Sequence, residues 1–254
     1  MILVKSHSFL LVFVVLETVH SKLTCSHNVT ECMTKAAQNV YNSLVAGVKD
    51  LTEPIDPLHL DKIDADLPGF KYQVTNVTMN GLRDCTVELF KSDEISFNFE
   101  LDLHCPNLVF TYHYKAKGVI LTSVEFDGQG FANVAVDDYY IKIKGKFKKF
   151  ISVKDQKLYT SIISHFIETD LKGKIKFETD EEINPDKTKS DLAKIAINEN
   201  YKDTDVLLRT PFLENFITLF VQNLNTYLAN FSIDELLPQK EKKSILNIRG
   251  TPLV

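Results

Sequence analysis

The sequence predicts an α+β fold in which a long C-terminal helix is wrapped by a highly curved antiparallel β-sheet, with a shorter helix on the N-terminal side. Residues 210–231 form an amphipathic stretch with an unusually wide apolar face. The middle of the chain, from Gly69 to about Phe177, alternates apolar and polar residues. The segments between its predicted strands are short, as in an antiparallel meander.

The long helix is predicted to begin at Thr210, which can cap it, with Pro211 in the first helical position. At about 100° per residue, its apolar side chains cover roughly 200° of the circumference, about twice what a surface helix needs. Another part of the chain must therefore surround most of this helix. The apolar positions are Leu213, Phe216, Ile217, Leu219, Phe220, Val221, Leu224, Tyr227, Leu228 and Phe231.

The predicted sheet has roughly six strands with one apolar and one polar face. Its clearest strand is 95–103, and turns are predicted at 91–94, at 115–118 and at the Gly128/Gly130 pair. The glycines would also let the sheet bend. Because the apolar face needs cover and the helix needs a partner all round, we expect the sheet to roll around the helix. The other strands are predicted at 70–74, 108–114, 120–126, 131–136, 141–147 and 162–177.

A second amphipathic helix is predicted at residues 32–51, where apolar side chains recur with the helical period. Gly47 lies inside this segment, at a cost that a helix can tolerate. Pro54 and Pro57 then prevent the helix from continuing. Leu58, Leu60 and Ile63 alternate briefly, which predicts an extended segment leading into the sheet.

The first residues have the pattern of a secretory signal peptide. Lys5 precedes an apolar core at 9–16, and Val19 and Ser21 occupy the small-residue positions before a cleavage site. A membrane anchor would need about 20 apolar residues, so we expect no stable membrane insertion. The expected organisation is a signal peptide at 1–21, a single domain at 22–238 and a C-terminal tail at 239–254. The mature protein is expected to be secreted, extracellular and monomeric.

Composition and motifs exclude several function classes. The formal net charge is −5 with no basic block, which argues against nucleic acid and against an anionic membrane surface as the main partner. The histidines are scattered, and the sequence has no metal-ligand spacing and no G-x-S-x-G nucleophile turn. We therefore predict no catalytic residues, no metal and no cofactor.

The chain has four cysteines, an even number for an exported protein. Cys25 and Cys32 enclose a short loop before a helix, which makes them the preferred disulfide. Cys85 and Cys105 flank a hairpin-like segment and either form a second disulfide or remain as buried thiols. Four cysteines allow three connectivities, and the sequence does not choose among them.

Glycosylation sequons begin at Asn28, Asn76 and Asn230. With sixteen asparagines in the chain, roughly two such triplets are expected by chance. Asn28 lies in the predicted disulfide loop and is the site that we most expect to be exposed.

The interior is expected to be rich in aromatic residues, because the chain has seventeen Phe and nine Tyr but no Trp. Taken alone, this composition favours a solid core, since aromatic stripes usually fill cores. Buried hydroxyls of Tyr112 and Tyr114 would need hydrogen-bond partners, and the polar end of a ligand is one candidate.

Several short motifs, in order along the chain, resemble those of the insect takeout and juvenile hormone binding protein family. They include the early pair Cys25 and Cys32, the proline-rich segment 54–58 and the strand end 77–82. Later come Pro106 ahead of Tyr112 and Tyr114, the G-x-G at 128–130, the segment 197–200 before the long helix and the segment 234–238 after it. Each motif is weak alone, and their order and spacing carry the resemblance.

The resemblance implies a long helix held in a rolled sheet, or super-roll, and an internal apolar tunnel. The tunnel would bind a small hydrophobic ligand such as a terpenoid hormone, a fatty acid or a similar lipid. In the hormone carriers a second disulfide lies later in the chain than Cys85 and Cys105, so this chain is more similar to takeout-type members. The residues expected to line the tunnel are Phe97, Phe99, Leu101, Phe110, Tyr112, Tyr114, Phe126, Phe216, Phe220 and Leu224.

Three functions are compatible with the sequence. The first is a secreted carrier of a small hydrophobic ligand, which the resemblance favours. The second is a secreted signalling or interaction protein with a solid core, for which the receptor is unknown. The third is a hydrolase acting on lipids, which the lack of catalytic motifs disfavours.

Overall fold

The computed structural model describes residues 30–93 and 95–236. The chain folds into one large, open antiparallel sheet with a long C-terminal helix and a shorter N-terminal helix, which confirms the predicted fold class. The predicted signal peptide, Cys25, Asn28 and the C-terminal tail lie outside the described residues. Among the described residues, no helix combines the length and the apolar character needed to cross a membrane.

The sheet has seven strands in the described part of the chain: β1 (Leu58–Leu67), β2 (Phe70–Asn80), β3 (Thr86–Asp93), β4 (Asn98–Ile120), β5 (Val124–Ile151), β6 (Leu158–Leu171) and β7 (Ile175–Thr179). Five of them follow the order β1-β2-β4-β5-β6, while β3 also pairs with β4 and β7 also pairs with β5. All pairings are antiparallel.

The helices lie at the two ends of the described chain. A single 3₁₀ turn, Leu82–Asp84, separates β2 from β3. The α-helices are α1 (Thr30–Ala46), α2 (Lys187–Glu199), α3 (Tyr201–Asn230) and α4 (Ile233–Leu236).

The sheet curves around α3. This helix contacts both β1 and β6, which are the two edge strands of the five-strand path. Five strands laid flat would span about 19 Å, at about 4.8 Å per strand, whereas a helix is only about 10 Å across. Contact with both edges therefore requires the sheet to bend around the helix, as the wide apolar face predicted.

The strands β4 and β5 form one long hairpin, so the predicted turns at 115–118 and at Gly128/Gly130 are wrong. The true turn lies at Leu121 and Thr122, whose φ angles of 49° and 66° are left-handed. Hairpin turns normally place Asn or Gly at left-handed positions, and neither is present in this three-residue loop between Ile120 and Val124. The predicted strand 120–126 is therefore divided by this turn.

The glycines near the hairpin end allow close backbone approach instead of turning the chain. A Cβ on Gly118 would lie 2.1 Å from the Gly69 carbonyl oxygen, and one on Gly128 would lie 2.7 Å from the Glu182 carbonyl oxygen. Glycine inside a strand often marks such an approach. These residues thus bring β1, β2 and the 180–186 loop against the hairpin.

The start of the long helix was predicted wrongly. The helix begins at Tyr201, and Pro211 lies in its interior. A proline inside a helix leaves the carbonyl four residues earlier without its usual N–H partner. That carbonyl belongs to Leu207, which is exposed, so water can satisfy it.

The N-terminal helix ends earlier than predicted. It stops at Ala46, and Gly47 follows in the left-handed region with φ +81°. A Cβ at Gly47 would lie 2.8 Å from the nitrogen of Pro54, so the tight exit of the helix requires glycine. Tyr41 on this helix is buried and donates a hydrogen bond to the Leu82 carbonyl at 2.8 Å, which ties α1 to the 3₁₀ turn.

Two of the sequence motifs meet around Asp56. Its buried carboxylate accepts hydrogen bonds from the backbone N–H groups of Gly81 at 3.1 Å and Arg83 at 2.9 Å. The Arg83 side chain also binds it, with Nε at 2.8 Å. The proline-rich segment thereby fixes the turn after β2.

Cys85, just before β3, forms a disulfide with Cys105 on β4. The two residues are therefore bridged and do not remain as buried thiols. Cys32 is also disulfide-bonded, and its preferred partner Cys25 lies outside the described residues. The sequon residues Asn76 and Asn230 are both exposed, and their glycosylation stays a prediction.

The interior consists of two apolar clusters. The first lies between α1, the open end of the β4–β5 hairpin and most of α3, and it includes Leu44, Leu103 and Phe216. The second lies between β1, β2, the closed end of the hairpin and α2, and it includes Val74 and Ile197. Because α3 runs from one cluster to the other, the boundary between them falls on its N-terminal half.

Candidate functional site

A cavity of about 70 Å³ lies at this boundary, between the N-terminal half of α3 and the inner face of β4, β5 and β7. Its walls are mostly apolar and aromatic. The lining residues are Leu108, Phe110 and Tyr112 on β4, Val134, Val136 and Tyr139 on β5, Ile175 and Phe177 on β7, and Asp205, Leu208, Arg209, Phe212 and Leu213 on α3.

Strand alternation builds the sheet side of the cavity. Phe110 pairs with Val134, which in turn pairs with Phe177 on β7. A second set of paired residues lies two positions away on each strand: Leu108 pairs with Val136, which pairs with Ile175. Since side chains two residues apart point to the same face, both rows face α3.

The helix side follows from helical spacing. Leu208 and Arg209 follow Asp205 by three and four residues, and Phe212 follows it by seven, so the four side chains share one face of α3. The Phe212 ring lies 5.8 Å from that of Phe110 and 5.5 Å from that of Tyr112, measured between centroids. This half-buried ring therefore closes the cavity against β4.

One polar cluster interrupts the apolar wall. Arg209 Nη1 lies 2.7 Å from Asp205 Oδ2, and the Tyr139 hydroxyl donates to Asp205 Oδ1 at 3.3 Å. The Asp205 side chain is only 7% exposed, and that of Arg209 is 26% exposed. An ion pair this poorly solvated is costly unless both ions are well paired and hydrogen-bonded.

The pKa values in this cluster reflect burial. Burial raises the pKa of Asp205, although the hydrogen bond and charge of Arg209 oppose the shift. Burial and the neighbouring Asp205 raise the pKa of Tyr139 to about 12, so its hydroxyl keeps its proton at neutral pH. Burial also raises the pKa of Tyr112. The cavity thus presents a guanidinium and neutral hydroxyl groups, with one carboxylate already engaged.

Of the ten residues expected to line a tunnel, two border this cavity, Phe110 and Tyr112. Tyr114 and Phe126 belong to the second apolar cluster, where Phe126 packs edge-on against Phe70. Phe97 lies in the turn before β4, is 40% exposed and contacts Phe147. The other five lie in or against the first cluster: Phe99, Leu101, Phe216, Phe220 and Leu224.

Sequence reasoning missed the polar cluster. Asp205 and Arg209 have the i, i+4 spacing of a helical ion pair, but the helix was predicted to start only at Thr210. Tyr139 was missed because it falls between the strands predicted at 131–136 and 141–147. In the structure Asp138 takes φ +52° within β5, and the strand continues.

The fold matches a known one. The crystal structure of Epiphyas postvittana Takeout 1 aligns with a TM-score of 0.77 and 24% identity, over 83% of this chain and 97% of that one. A comparison with curated protein sequences finds no match. The model of the haemolymph juvenile hormone binding protein family matches residues 8–238. That match spans most of the sequence, and we conclude that the chain belongs to the haemolymph juvenile hormone binding protein family.

Proposed function

We propose that this protein is a secreted carrier of a small hydrophobic ligand, held between α3 and the inner face of β4, β5 and β7. The observation that carries the proposal is an apolar cavity with a single buried polar cluster. Specific ligand sites usually combine apolar walls with a few placed polar groups. Membership of the family and the fold shared with Takeout 1 support the same function. Candidate ligands are a terpenoid such as juvenile hormone, a fatty acid or a similar lipid.

The cavity must widen to accept such a ligand. Its volume is about 70 Å³, whereas pockets for organic ligands usually measure about 300–1,000 Å³. Leu208, Arg209 and Phe212 are only partly buried, so they can move outward at a lower cost than the fully buried residues farther along α3. We therefore expect the α3 side of the cavity to move when the ligand binds.

The polar cluster favours an uncharged polar end on the ligand. Asp205 already neutralises Arg209, so a carboxylate entering the cavity would meet a nearby negative charge. The guanidinium has five N–H donors and retains some for an uncharged acceptor such as an ester, an epoxide or a ketone. The apolar body of the ligand would then lie along Phe110, Val134 and Phe177.

Displacement of a dansyl-labelled fatty acid, together with mass spectrometry of lipids extracted from the purified protein, tests the carrier function. Leu208→Trp should fill the cavity and abolish saturable binding. Leu207→Trp is the matched control, because Leu207 is the preceding residue on α3 but is exposed and does not line the cavity. Absence of any bound lipid in the wild type, or equal loss in both variants, would refute the proposal.

Asp205→Asn tests the polar end separately. The wild type should bind a fatty acid methyl ester more tightly than the free acid of the same chain length. In the variant Arg209 loses its counter-charge, so the preference should reverse toward the acid. The measurement is competitive displacement by both ligands at pH 7. If the ratio of the affinities for the ester and the acid is the same in the variant and the wild type, Arg209 does not take part in ligand recognition. The carrier function would remain supported.

A further inference from the structure

The hairpin between β5 and β6 ends in an exposed apolar tip, which we define as residues 146–163. At this tip Val153 is 92% exposed, Ile151 65% and Ile163 56%, and Phe150 is also exposed. The turn before β4 adds Ile95, which is 92% exposed, and its neighbour Phe97 contacts Phe147 at 5.6 Å between ring centroids. Clustered exposed apolar side chains of this kind mark interaction surfaces.

The same segment is strongly basic. The tip, residues 146–163, contains five lysines and one aspartate, a local net charge of +4 in a chain whose formal net charge is −5. Some of these lysines are engaged, such as Lys157 with Glu235 at 2.9 Å. Within the described part of the chain, Lys146, Lys148 and Lys154 have no carboxylate partner, and Lys148 lies 5.9 Å from the Phe150 ring centroid.

We propose that the β5–β6 tip docks reversibly on anionic phospholipid surfaces. Apolar side chains would enter the headgroup boundary, while the lysines, whose long stems let the ammonium groups reach the phosphates, would bind the lipid headgroups. A protein partner fits this composition less well, because the cores of protein interfaces are depleted in lysine.

The negative net charge of the whole chain does not oppose this docking. At physiological ionic strength the Debye length is about 8 Å, so a membrane at the tip interacts with the local lysines and hardly with distant carboxylates. The sequence-based expectation that an anionic membrane is not a main partner rested on the negative net charge and on the absence of a basic block, and it overlooked the lysines of the tip.

The tip is separate from the cavity. Ile162 at the tip exchanges hydrogen bonds with Asn225 on α3, at 2.7 Å and 3.1 Å. Asn225 lies sixteen residues, or about 24 Å of helix, beyond Arg209. Docking can therefore be tested without reference to the ligand in the cavity, and its failure would leave the carrier function untouched.

Co-sedimentation of the mature protein with vesicles tests the proposal. Phosphatidylcholine vesicles containing about one third phosphatidylserine should bind the protein, and pure phosphatidylcholine vesicles should bind it far more weakly. Lys148→Glu/Lys154→Glu should lower the partition coefficient at least about 25-fold, since each membrane-proximal charge contributes about fivefold. Lys115→Glu/Lys202→Glu, on other exposed surfaces, changes the net charge equally and should have little effect.

A second pair of variants tests the apolar contribution. Ile151→Ser/Val153→Ser should weaken vesicle binding about tenfold or more. The control is Leu192→Ser/Ile195→Ser, at exposed apolar positions on α2. All four positions are exposed, so circular dichroism should show unchanged folding. Wild-type protein that stays in the supernatant, equal binding to both kinds of vesicle, or equal losses in test and control variants would overturn the proposal.

Discussion

The two halves of α3 differ in what they pack against. In the N-terminal half, Asp205, Leu208 and Phe212 border a cavity at the junction of two apolar clusters. In the C-terminal half, Phe216, Ile217 and Phe220 are at most 3% exposed, and the Phe220 ring contacts that of Tyr41. One continuous helix thus combines a loosely packed site with a solid core. The wide apolar face of a helix therefore predicts burial but does not indicate where along the helix space remains.

The largest effect on stability is expected from a substitution in the C-terminal half of α3, which is part of the solid core. Phe216→Ala should destabilise the protein by about 3–5 kcal/mol, because it leaves a void where the surroundings are fully packed. Urea denaturation followed by circular dichroism measures the free energy of unfolding. A loss below about 1 kcal/mol would mean that this half of α3 is not tightly packed.

The ion pair should give the next largest effect. Arg209→Met leaves the Asp205 carboxylate buried without its cation, at an expected cost of about 3 kcal/mol at pH 7. Because burial raises the folded-state pKa of Asp205, the folded protein takes up a proton before the unfolded chain does as the pH falls. The deficit of this variant should therefore shrink as the pH drops through that pKa.

The control for this prediction is the double variant Asp205→Asn/Arg209→Met, which carries no buried charge. It should be more stable than Arg209→Met at pH 7, and its stability should lack the pH dependence just described. If single and double variants unfold at the same urea concentration at every pH, the pair does not contribute through its charges.

A smaller effect is expected when phenylalanine is replaced by alanine at position 212, one helical turn before Phe216. Phe212→Ala should cost only about 1–2 kcal/mol, since this side chain is half-buried and already borders a cavity. The enlarged cavity should shift ligand preference toward bulkier lipids in a displacement assay. Equal destabilisation by Phe212→Ala and Phe216→Ala would erase the distinction between the two halves.

The smallest effect concerns α4, which follows the solid half. Glu235 accepts hydrogen bonds from the N–H and hydroxyl of Ser232, and it also pairs with Lys157. Lys157 and Ser232 lower the pKa of Glu235 to about 2. The ionised Glu235 carboxylate therefore stabilises the folded protein at pH values above the ordinary pKa of glutamate, and this contribution is lost as the pH falls toward 2. Glu235→Gln should thus lower protection of the α4 amides from hydrogen exchange at pH 7 and matter little at pH 2.

The sequence predicted the fold class because periodicity reports which faces are buried. Phe110 and Tyr112 alternate regularly, and Phe216 and Phe220 keep the helical period, so the layer to which each belongs follows from its spacing. The long hairpin was missed because Leu121 and Thr122 occupy left-handed positions without the usual turn residues. The position of the cavity could not be predicted from residue spacing, since spacing reports the direction of a side chain and not the packing density around it.

Misplaced element boundaries hid the polar part of the site. Proline is common in the first position of a helix, so the helix was predicted to begin at Thr210. That start left Asp205 and Arg209 in a segment to which no helix or strand was assigned. Tyr139 likewise fell between the strands predicted at 131–136 and 141–147. In both places tertiary packing overrides a local preference.

The β4–β5 hairpin also determines how the chain can assemble. Its pairing runs from Ile120 opposite Val124, four residues apart, to Asn98 opposite Lys146 at the open end. Once the turn closes, each new pair forms beside the last, so no large loop has to be closed at once. Folding can therefore proceed by zippering from Leu121, with the other strands and α3 joining a template that is already in register. Substitutions near that turn should slow refolding, whereas those at the open end should mainly speed unfolding.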